Sequence, residues 1–360
     1  MINRESKYYL ALAAAALIGL IGTVAIRFYD NRSTVKSRDV LLDTVVTLEI
    51  TGKGDMEAVA DGALELIRSL DAQLSMYREG SVVYEINKEA GERPVRVTRE
   101  VFKLIQAAKE IASLSDGAFD PTIGPITRLW GINGSSRSMD AIPGKAAIEE
   151  ALMFVGFDKI IQTEPDVVYL LQKGAALDLG AIAKGYVSQC VADYLRSRGV
   201  ESALIDLGGN VQLVGSRPNG KPWRIGIQDP RKERGEALCA LELSDTSAIT
   251  AGRYERFAEF GGERYAHIFD PRTGYPIRSA LSSVTVVAAD GTEGDALSTA
   301  LMVMGPGQGA LELLSLFPGS EAVFISEGRD GVPDVLATRG LEGKITSLDS
   351  SVRVNFMESP

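Results

Sequence analysis

The sequence predicts an α+β fold with an antiparallel sheet, preceded by one N-terminal transmembrane helix. Three observations indicate this: strand-like and helix-like segments are mixed along the chain, an Asn-Gly turn signal separates two apolar runs, and a long uncharged stretch lies near the N-terminus. Of the 360 residues, 45% are apolar and 24% are charged, as in ordinary globular proteins. The chain is long enough for one large domain or two small ones.

The uncharged stretch runs from Tyr8 to Ile26, between Lys7 and Arg27. As a helix it would span about 28 Å at ~1.5 Å per residue, which nearly matches the hydrocarbon core of a bilayer. Only a poor small-x-small cleavage site follows it, so we expect an uncleaved signal anchor. The predicted organisation is a flank at 1–7, a transmembrane signal anchor at 8–28, a polar tether at 29–38 and one domain at 39–360.

The first elements of the domain follow from residue patterns. Residues 41–50 are rich in Val, Thr and Leu and predict a strand, whereas residues 56–74 repeat apolar side chains on one helical face. A second helix is predicted at 99–113. Frequent Gly, Ser and Asn predict a loop at 131–144.

Strands and helices alternate farther along the chain. Residues 167–172 and 203–206 predict strands, and a helix with one apolar face is expected between them at 181–198. An Asn-Gly pair between two apolar runs is a strong hairpin signal. The remaining predicted elements are a hairpin with Asn219-Gly220 between strands at 211–214 and 223–227, a strand at 284–288 and a helix at 295–304.

Composition and motifs exclude several classes of function. The net charge of -10 and the lack of a basic block argue against binding to nucleic acid. A single histidine excludes His-rich zinc sites, and neither a G-x-S-x-G elbow nor a Walker A loop is present. Cys190 lies on the apolar face of a predicted helix and is expected to be a buried thiol; a bridge to Cys239 in an oxidising compartment is the alternative.

A cluster of oxygen donors is predicted where the helix at 295–304 begins. Asp295, Ser298 and Thr299 stand at i, i+3 and i+4, so their oxygens emerge on one helical face. A carboxylate and hydroxyls suit a hard ion such as Mg²⁺, which takes its remaining ligands from phosphate and water. The alternative is that Asp295 only caps the helix.

Two further segments carry groups that could bind an anion. Asp178 and Ala181 lie between an apolar strand and a helix, where helix N–H groups could face a phosphate, and Lys184 follows in the helix. His267 precedes the turn signature 270–274, which carries both charge signs. The alternatives are that Asp178 is a turn residue, that Lys184 is a solvated helix charge and that His267 is structural.

The order and residue sequences of these three segments resemble those of the FAD:protein FMN transferase family, also called ApbE. The resemblance extends from about Leu41 to the C-terminal region. The resemblance implies the ApbE-type fold, which is related to the tunnelling fold. It also implies that the carbonyl of Ala181 and the side chains of Asp295 and Thr299 bind Mg²⁺, with Ser298 added by its spacing. In the family pattern Asp178 and Lys184 contact FAD, and His267 lies near the flavin phosphates as a candidate general base.

The resemblance also assigns flavin contacts outside these segments. Tyr77 can stack on an aromatic ring of the ligand. The chain departs from the family pattern at Asp43-Thr44, where Gly-Thr is usual, and this departure affects the neighbouring contact at Leu42. A role in the core is the alternative for Tyr77 and Phe119. The full set of these predicted contacts is Leu42, Tyr77, Ala118, Phe119, Asp120 and Ile268.

The implied reaction is the Mg²⁺-dependent transfer of FMN from FAD to a Thr or Ser hydroxyl of an acceptor flavoprotein, with AMP as the leaving group. Two alternatives stay open: a Mg²⁺-dependent FAD pyrophosphatase that gives FMN and AMP, and a flavin-binding protein without turnover. Acceptors in the family carry an Asp/Ser-Gly-Ala-Thr/Ser type motif, and Rnf- or Nqr-type electron-transport subunits are the expected class. In this chain Phe119 follows Asp116-Gly117-Ala118, so self-modification is not expected.

The resemblance favours an inner (plasma) membrane protein with an extracytoplasmic or periplasmic domain. Positive residues lie on both sides of the predicted span, so the positive-inside rule does not favour this orientation. No Cys near the end of the span could accept a lipid, which leaves the helix itself as the anchor.

We predict that protease added to right-side-out vesicles digests the domain and leaves a small membrane-embedded N-terminal fragment. Full protection until lysis would place the domain in the cytoplasm. Recovery of a soluble chain that starts near Arg27 would show that the segment is cleaved. Immunoblots of tags at both ends distinguish these results.

Overall fold

The computed structural model describes residues 32–132, 137–138, 141–163 and 166–357. The predicted signal anchor at 8–28 lies outside these ranges. Within them, no helix has both the length and the apolar character needed to cross a bilayer. The helices are α1 Met56–Leu74, α2 Val82–Lys88, α3 Arg99–Leu114, α4 Gly124–Trp130, α5 Lys145–Leu152, α6 Ala183–Ser197, α7 Gly291–Met304 and α8 Gln308–Ser315.

Within the described ranges, the strands fall into one large sheet and three small ones. They are β1 Arg32–Leu41, β2 Thr44–Lys53, β3 Val95–Arg96, β4 Arg137–Ser138, β5 Ile160–Thr163, β6 Val167–Leu170, β7 Val200–Leu207, β8 Asn210–Val214, β9 Trp223–Gln228, β10 Ala237–Leu243, β11 Ser247–Gly252, β12 Phe257–Phe260, β13 Glu263–Ala266, β14 Leu281–Ala288, β15 Glu321–Ser326, β16 Asp334–Ala337, β17 Ile345–Ser347 and β18 Val354–Phe356.

The large sheet has nine strands in the order β1-β2-β7-β8-β11-β14-β15-β16-β18. All neighbours are antiparallel except β16 and β18. A three-stranded sheet in the order β17-β10-β9 forms a second layer, in which β9 is an edge strand. The predicted α+β fold with an antiparallel sheet is therefore confirmed.

The large sheet separates two apolar clusters. Successive side chains of a strand point to opposite faces, so Val286 of β14 packs with the helices while Val287 packs with the second sheet. Every residue of β14 is buried for this reason. The first core cluster joins the sheet to α1, α3, α6 and α7. The second core cluster includes Leu213, Trp223, Ile225, Ile227, Leu238, Leu241, Val287, Val323 and Ile325.

Side-chain caps mark where several helices begin. Asp55 accepts a hydrogen bond from the backbone N–H of Ala58 at the start of α1, and the helix predicted at 56–74 is found at those bounds. Thr98 caps α3 in the same way, and the helix predicted at 99–113 ends one residue later than expected. Local signals were sufficient for both helices.

The strand predicted at 41–50 is wrong in its first residues, because the chain turns there. Leu42 and Asp43 have φ of 54° and 55° and join β1 to β2 as a two-residue hairpin turn. β1 begins at Arg32, so most of the segment predicted as a polar tether pairs with β2 as an edge strand. Alternating charged and small side chains kept this strand from being recognised.

The hairpin predicted around Asn219-Gly220 is also wrong. Gly220 has φ of 78° and its N–H donates to the carbonyl of Arg217, so a local turn does form. However, β8 pairs with β7 and β11, whereas β9 pairs with β10 in the other sheet. All five residues of β8 are buried, which requires a central position in the large sheet rather than a place in an isolated hairpin.

Helices α6 and α7 cross at unusually short range. A Cβ on Gly185 would lie 2.1 Å from the carbonyl oxygen of Gly291 and 2.5 Å from Cβ of Asp295. Helix α7 begins at Gly291, where Asp290 accepts a hydrogen bond from the N–H of Thr292. The helix predicted at 295–304 therefore starts one turn earlier, and the alternative that Asp295 caps it is wrong.

The two cysteines are free thiols in different layers of the fold. Cys190 is half-buried against the first core cluster, and Cys239 is fully buried in the second. Burial raises the pKa of each thiol to about 11. The alternative of a bridge between them is therefore wrong, and both side chains serve as small apolar groups.

Candidate active site

One cavity of about 1200 Å³ lies between the N-terminal ends of α6 and α7, the β1–β2 turn, the segment that follows β13 and the second sheet. All the residues predicted for catalysis, flavin binding or metal binding line it. These are Leu42, Tyr77, Ala118, Phe119, Asp120, Asp178, Ala181, Lys184, His267, Ile268, Asp295, Ser298 and Thr299. The roles assigned to them stay predictions, but the fold brings the whole set to one place.

Asp295 projects from the second turn of α7 and is 5% exposed. Its Oδ2 accepts a hydrogen bond of 2.8 Å from the backbone N–H of Gly185, at the crossing of α6 and α7. No lysine, arginine or histidine within the described ranges forms an ion pair with this carboxylate. A buried carboxylate without a cationic partner is a fit position for a bound cation.

The neighbouring oxygen donors differ in availability. The Ser298 hydroxyl is 1% exposed and donates to the carbonyl of Asp295 at 2.7 Å, so its proton is already committed. Thr299 is half-buried, and its hydroxyl makes no hydrogen bond to any residue that the structure describes. Ala181 lies just before α6 on the cavity wall. Thr299 is therefore the more accessible of the two hydroxyls.

The described residues contain no cluster of three or more His, Cys, Asp and Glu side chains of the kind that could enclose a metal. The predicted metal-binding set has only one carboxylate, that of Asp295. A divalent cation there would depend on other oxygens for most of its ligands, as Mg²⁺ does when it binds together with substrate phosphates.

The turn before α6 is held in place from two sides. Asp178 donates its backbone N–H to the carbonyl of Pro121, and its Oδ1 accepts from the N–H of Gly180. Asp178 therefore acts as a turn residue in this structure while it also lines the cavity. Among the N–H groups of residues 182–185, only that of Lys184 has no backbone or side-chain acceptor among the described residues. One backbone donor, fewer than expected, is thus available to an anion at this helix end.

Two cations lie at the cavity wall near the imidazole. Neither Lys184 nor Arg256 forms a salt bridge with any carboxylate in the described ranges, and both line the cavity. Their positive charges both lower the pKa of His267. This part of an otherwise acidic chain is therefore suited to hold a phosphate group.

His267 follows β13 and is anchored to Arg256, which precedes β12. The Nδ1 atom lies 3.0 Å from the Arg256 carbonyl oxygen, and the backbone N–H of His267 donates to the same oxygen at 3.2 Å. Because a carbonyl only accepts, Nδ1 carries the proton and Nε2 keeps a free lone pair. Burial lowers the pKa of His267 to about 4, and the nearby cations add to the effect. The imidazole is neutral at pH 7 and can accept a proton at Nε2.

Arg256 was not found from the sequence. The β12–β13 hairpin places it opposite His267, since Phe257 pairs with Ala266 in the adjacent position. The only available signal was a pair of polar residues flanking two short strands, which becomes visible once the hairpin is known.

The turn predicted at 270–274 is confirmed. The N–H of Gly274 donates to the carbonyl of Asp270, and Gly274 has φ of 71°. Arg272 is held by Asp270 through two hydrogen bonds of 2.8 and 2.9 Å, so this guanidinium is already paired. Trp130 donates from Nε1 to the carbonyl of Gly274 and fastens the turn to a third core cluster. That cluster comprises Ile126, Trp130, Ile132, Ile148, Ala258, Tyr265 and Phe269.

The predicted flavin contacts include both exposed and buried side chains. Tyr77 is 49% exposed on the cavity wall, so the alternative that it belongs to the core is wrong. Phe119 is 2% exposed and does pack in the first core cluster. The Asp120 carboxylate accepts from the N–H and hydroxyl of Thr122 and from the N–H of Phe157, and burial raises its pKa. Asp120 therefore shapes the loop.

Comparison with known proteins places this cavity in a family context. The family model described as the ApbE family matches residues 42–324. A curated FAD:protein FMN transferase of Klebsiella pneumoniae (strain 342) is 38% identical over 326 residues, which cover 90% of this chain and 98% of that protein. One of Treponema pallidum (strain Nichols) is 33% identical over 331 residues, with 87% and 89% covered.

Solved structures show the same similarity. The structure of the ApbE protein of Thermotoga maritima has a TM-score of 0.75 and 34% sequence identity, and the match covers 84% of this chain and 96% of that one. The flavin transferase ApbE of Vibrio cholerae has a TM-score of 0.76 and 26% identity, with 87% and 99% covered.

The protonation state of His267 leads to a direct prediction. It is the only histidine, so the ring C–H signals of the detergent-solubilised chain should titrate with one midpoint near pH 4. In urea the midpoint should return to about 6.5. Because the folded pKa is the lower one, this group stabilises the fold fully above pH 6.5, and its contribution is lost as the pH falls towards 4. A folded-state midpoint of 6 or higher would contradict the half-buried, cation-flanked environment.

Proposed function

This chain belongs to the ApbE family, and from this premise we propose that it is an FAD:protein FMN transferase that moves FMN from FAD to a Ser or Thr hydroxyl of an acceptor flavoprotein, with AMP as the leaving group. One observation carries this proposal. A neutral imidazole with a free Nε2, a buried carboxylate without a cationic partner and two cations without carboxylate partners all line the same cavity. These are the groups that a phosphoryl transfer requires.

The distribution of side chains supports an orientation for FAD. The half-exposed ring of Tyr77 offers a stacking surface for an aromatic ring system. Lys184 and Arg256 line the same cavity and offer positive charges for the pyrophosphate. The flavin end would therefore lie towards the N-terminal half of the chain and the phosphates at the α6 terminus.

The residues present fit a magnesium ion bound together with the substrate. Asp295 has one oxygen anchored by Gly185 and the other free of hydrogen bonds within the described ranges, and the Thr299 hydroxyl is also free. Asp295, Thr299 and the Ala181 carbonyl would hold Mg²⁺, with Ser298 beside them. When bound, the metal would stabilise negative charge on the phosphoryl oxygens and on the leaving group.

His267 is the candidate base. Its Nε2 would accept the proton of the acceptor hydroxyl as the hydroxyl oxygen forms a bond to the phosphorus on the FMN side of FAD. The bond from that phosphorus to the bridging oxygen breaks at the same time, and AMP leaves with the electron pair. The hydrogen bond from Nδ1 to Arg256 keeps the ring in the tautomer that this step needs.

We also propose that the protein is anchored through residues 8–28 with the cavity outside the cytoplasm. The uncharged stretch from Tyr8 to Ile26 and the family resemblance support this location. FAD would then have to reach the enzyme on that side of the membrane.

A product assay tests the function. The full-length chain in detergent is incubated with FAD, Mg²⁺ and an FMN-binding domain that carries an acceptor Ser or Thr, and the acceptor mass and AMP are followed. Covalent flavin with AMP is the expected result. AMP with free FMN and no adduct would indicate a pyrophosphatase, and bound FAD without products would indicate a flavin-binding protein.

Asp295 gives this assay a matched pair of variants. Asp295→Asn removes the charge but keeps an oxygen for the Gly185 N–H, and AMP release should fall by at least about 100-fold. Asp290→Asn neutralises a carboxylate of the same helix that only caps it, and Asn is an equally good cap, so this control should be unaffected. Normal, Mg²⁺-dependent turnover by Asp295→Asn would remove Asp295 from the metal site.

His267→Gln is the second functional prediction. A glutamine amide can still donate to the Arg256 carbonyl but cannot act as a base, so we expect FAD binding to persist and transfer to fall by roughly 10²- to 10⁴-fold. FAD binding is measured by the quenching of flavin fluorescence. Unchanged transfer, or loss of the fold, would show that the histidine is structural.

A further inference from the structure

The second sheet forms a wall of the cavity to which the proposed reaction assigns no role. Five of the six residues of β9 line the cavity there. These are Arg224, Ile225, Gly226, Ile227 and Gln228.

β9 is an edge strand whose outer side has no backbone partner. It pairs only with β10, and no other described segment forms a backbone hydrogen bond with residues 223–228. The other edge strands, β1, β3, β4, β5, β13, β17 and β18, contribute no residue to the cavity. Within the described part of the chain, an unpaired sheet edge and the active-site cavity therefore meet at β9 alone.

The register shows which backbone groups point outward. Arg224 pairs with Glu242 of β10, but the N–H of Glu242 donates to Lys344 on the far side of β10. Arg224 and Glu242 are thus a non-hydrogen-bonded pair, and the N–H and C=O of Arg224 face away from β10. At the other end, the N–H of Asp229 donates to Glu236, so Asp229 faces inward. By alternation, Arg224, Gly226 and Gln228 present their backbone groups to the free edge.

The side chains of β9 give its two faces different characters. Trp223, Ile225 and Ile227 are buried in the second core cluster, which holds the strand rigidly. On the other face, Gly226 is exposed between Arg224 and Gln228, and a Cβ there would lie 2.9 Å from Cβ of Ala237. The middle of this face therefore carries no side chain.

The exposed face of β9 carries a positive charge at Arg224. Arg224 is exposed and forms no salt bridge with any carboxylate in the described ranges, although the chain as a whole carries a net charge of -10. Arg234, which also lines the cavity, lies 3.8 Å from Glu255 and donates to the carbonyl of Gly208. An acidic residue in an approaching segment of chain would therefore strengthen its attraction to this edge.

We propose that the free edge of β9 is the docking site for an extended segment of the acceptor protein, which adds to the sheet as a further strand and presents its Ser or Thr hydroxyl to the cavity. The proposal rests on the transferase function above, because that reaction requires a stretch of protein chain beside the phosphates of FAD. Strand addition suits this task, since backbone hydrogen bonds hold a segment in extended form and in one register.

Hydrogen exchange tests the contact directly. The full-length chain is mixed with an FMN-binding domain that it flavinylates, in a form whose acceptor hydroxyl is replaced by Ala so that no turnover occurs. The amides of Arg224, Gly226 and Gln228 should exchange at least about tenfold more slowly with the domain present, while those of Ile225 and Ile227 stay protected throughout. Unchanged exchange at the three outward amides would overturn the proposal. Equal protection on raising the enzyme concentration alone would assign the edge to a second copy and would also overturn it.

The Arg224→Pro variant tests the docking site through enzyme kinetics. Proline removes an outward N–H without removing a hydrogen bond to β10, and proline is tolerated on edge strands. We expect the KM for the acceptor domain to rise at least about tenfold, with FAD binding unchanged. Arg224→Ala removes the charge but keeps the N–H, so its effect should be clearly smaller.

The outcomes separate the two proposals. If the wild-type chain binds FAD but modifies no acceptor, the transferase function itself fails. If the wild type modifies the acceptor and Arg224→Pro does so with the same KM, only the docking site fails. Should Arg224→Pro not fold, as shown by lost FAD binding, the exchange measurement on the wild type decides the question.

Discussion

The close crossing of α6 and α7 is the constraint on which the site depends. Only a residue without a side chain fits at Gly185, because the backbone of Gly291 and the side chain of Asp295 lie where a Cβ would be. The same approach lets the Gly185 N–H bind the Asp295 carboxylate. One helix brings Lys184 and the turn at Ala181, and the other brings Asp295 and Thr299. The distance between the helices therefore sets how close the groups proposed to bind phosphate and metal can lie.

The second half of the site depends on a different device. A single carbonyl, that of Arg256, accepts from both the backbone and the ring of His267. This contact orients the imidazole, while burial and two neighbouring cations keep it neutral. The positive charges that would attract a phosphate therefore also favour the neutral imidazole, the form that the proposed base requires. A third core cluster, which includes Trp130, supports the turn beyond the histidine.

The sequence predicts an element correctly where the stabilising signals lie within that element or directly beside it. The helix at 56–74 has an apolar face and a capping Asp55, and both signals lie within the helix and its first flank. The start of α7 was misplaced because its first turn, with Gly291, Thr292 and Gly294, lacks apolar periodicity although Asp290 caps it. The turn at Asn219-Gly220 was recognised, but the partners of its two strands are decided by distant burial in two sheets. Arg256 was missed for the same reason, since its neighbour across the β12–β13 hairpin is visible only in three dimensions.

The burial of β14 on both faces has a thermodynamic consequence. The nine-stranded sheet is a shared wall, with Val286 in one core cluster and Val287 in the other. Neither cluster can open without exposing the reverse side of the strands that the other needs. The two layers should therefore melt in one transition, and the amides of β14 should exchange only through global unfolding. A cavity bounded by both layers inherits the rigidity of the whole molecule, which keeps its groups in register without a ligand.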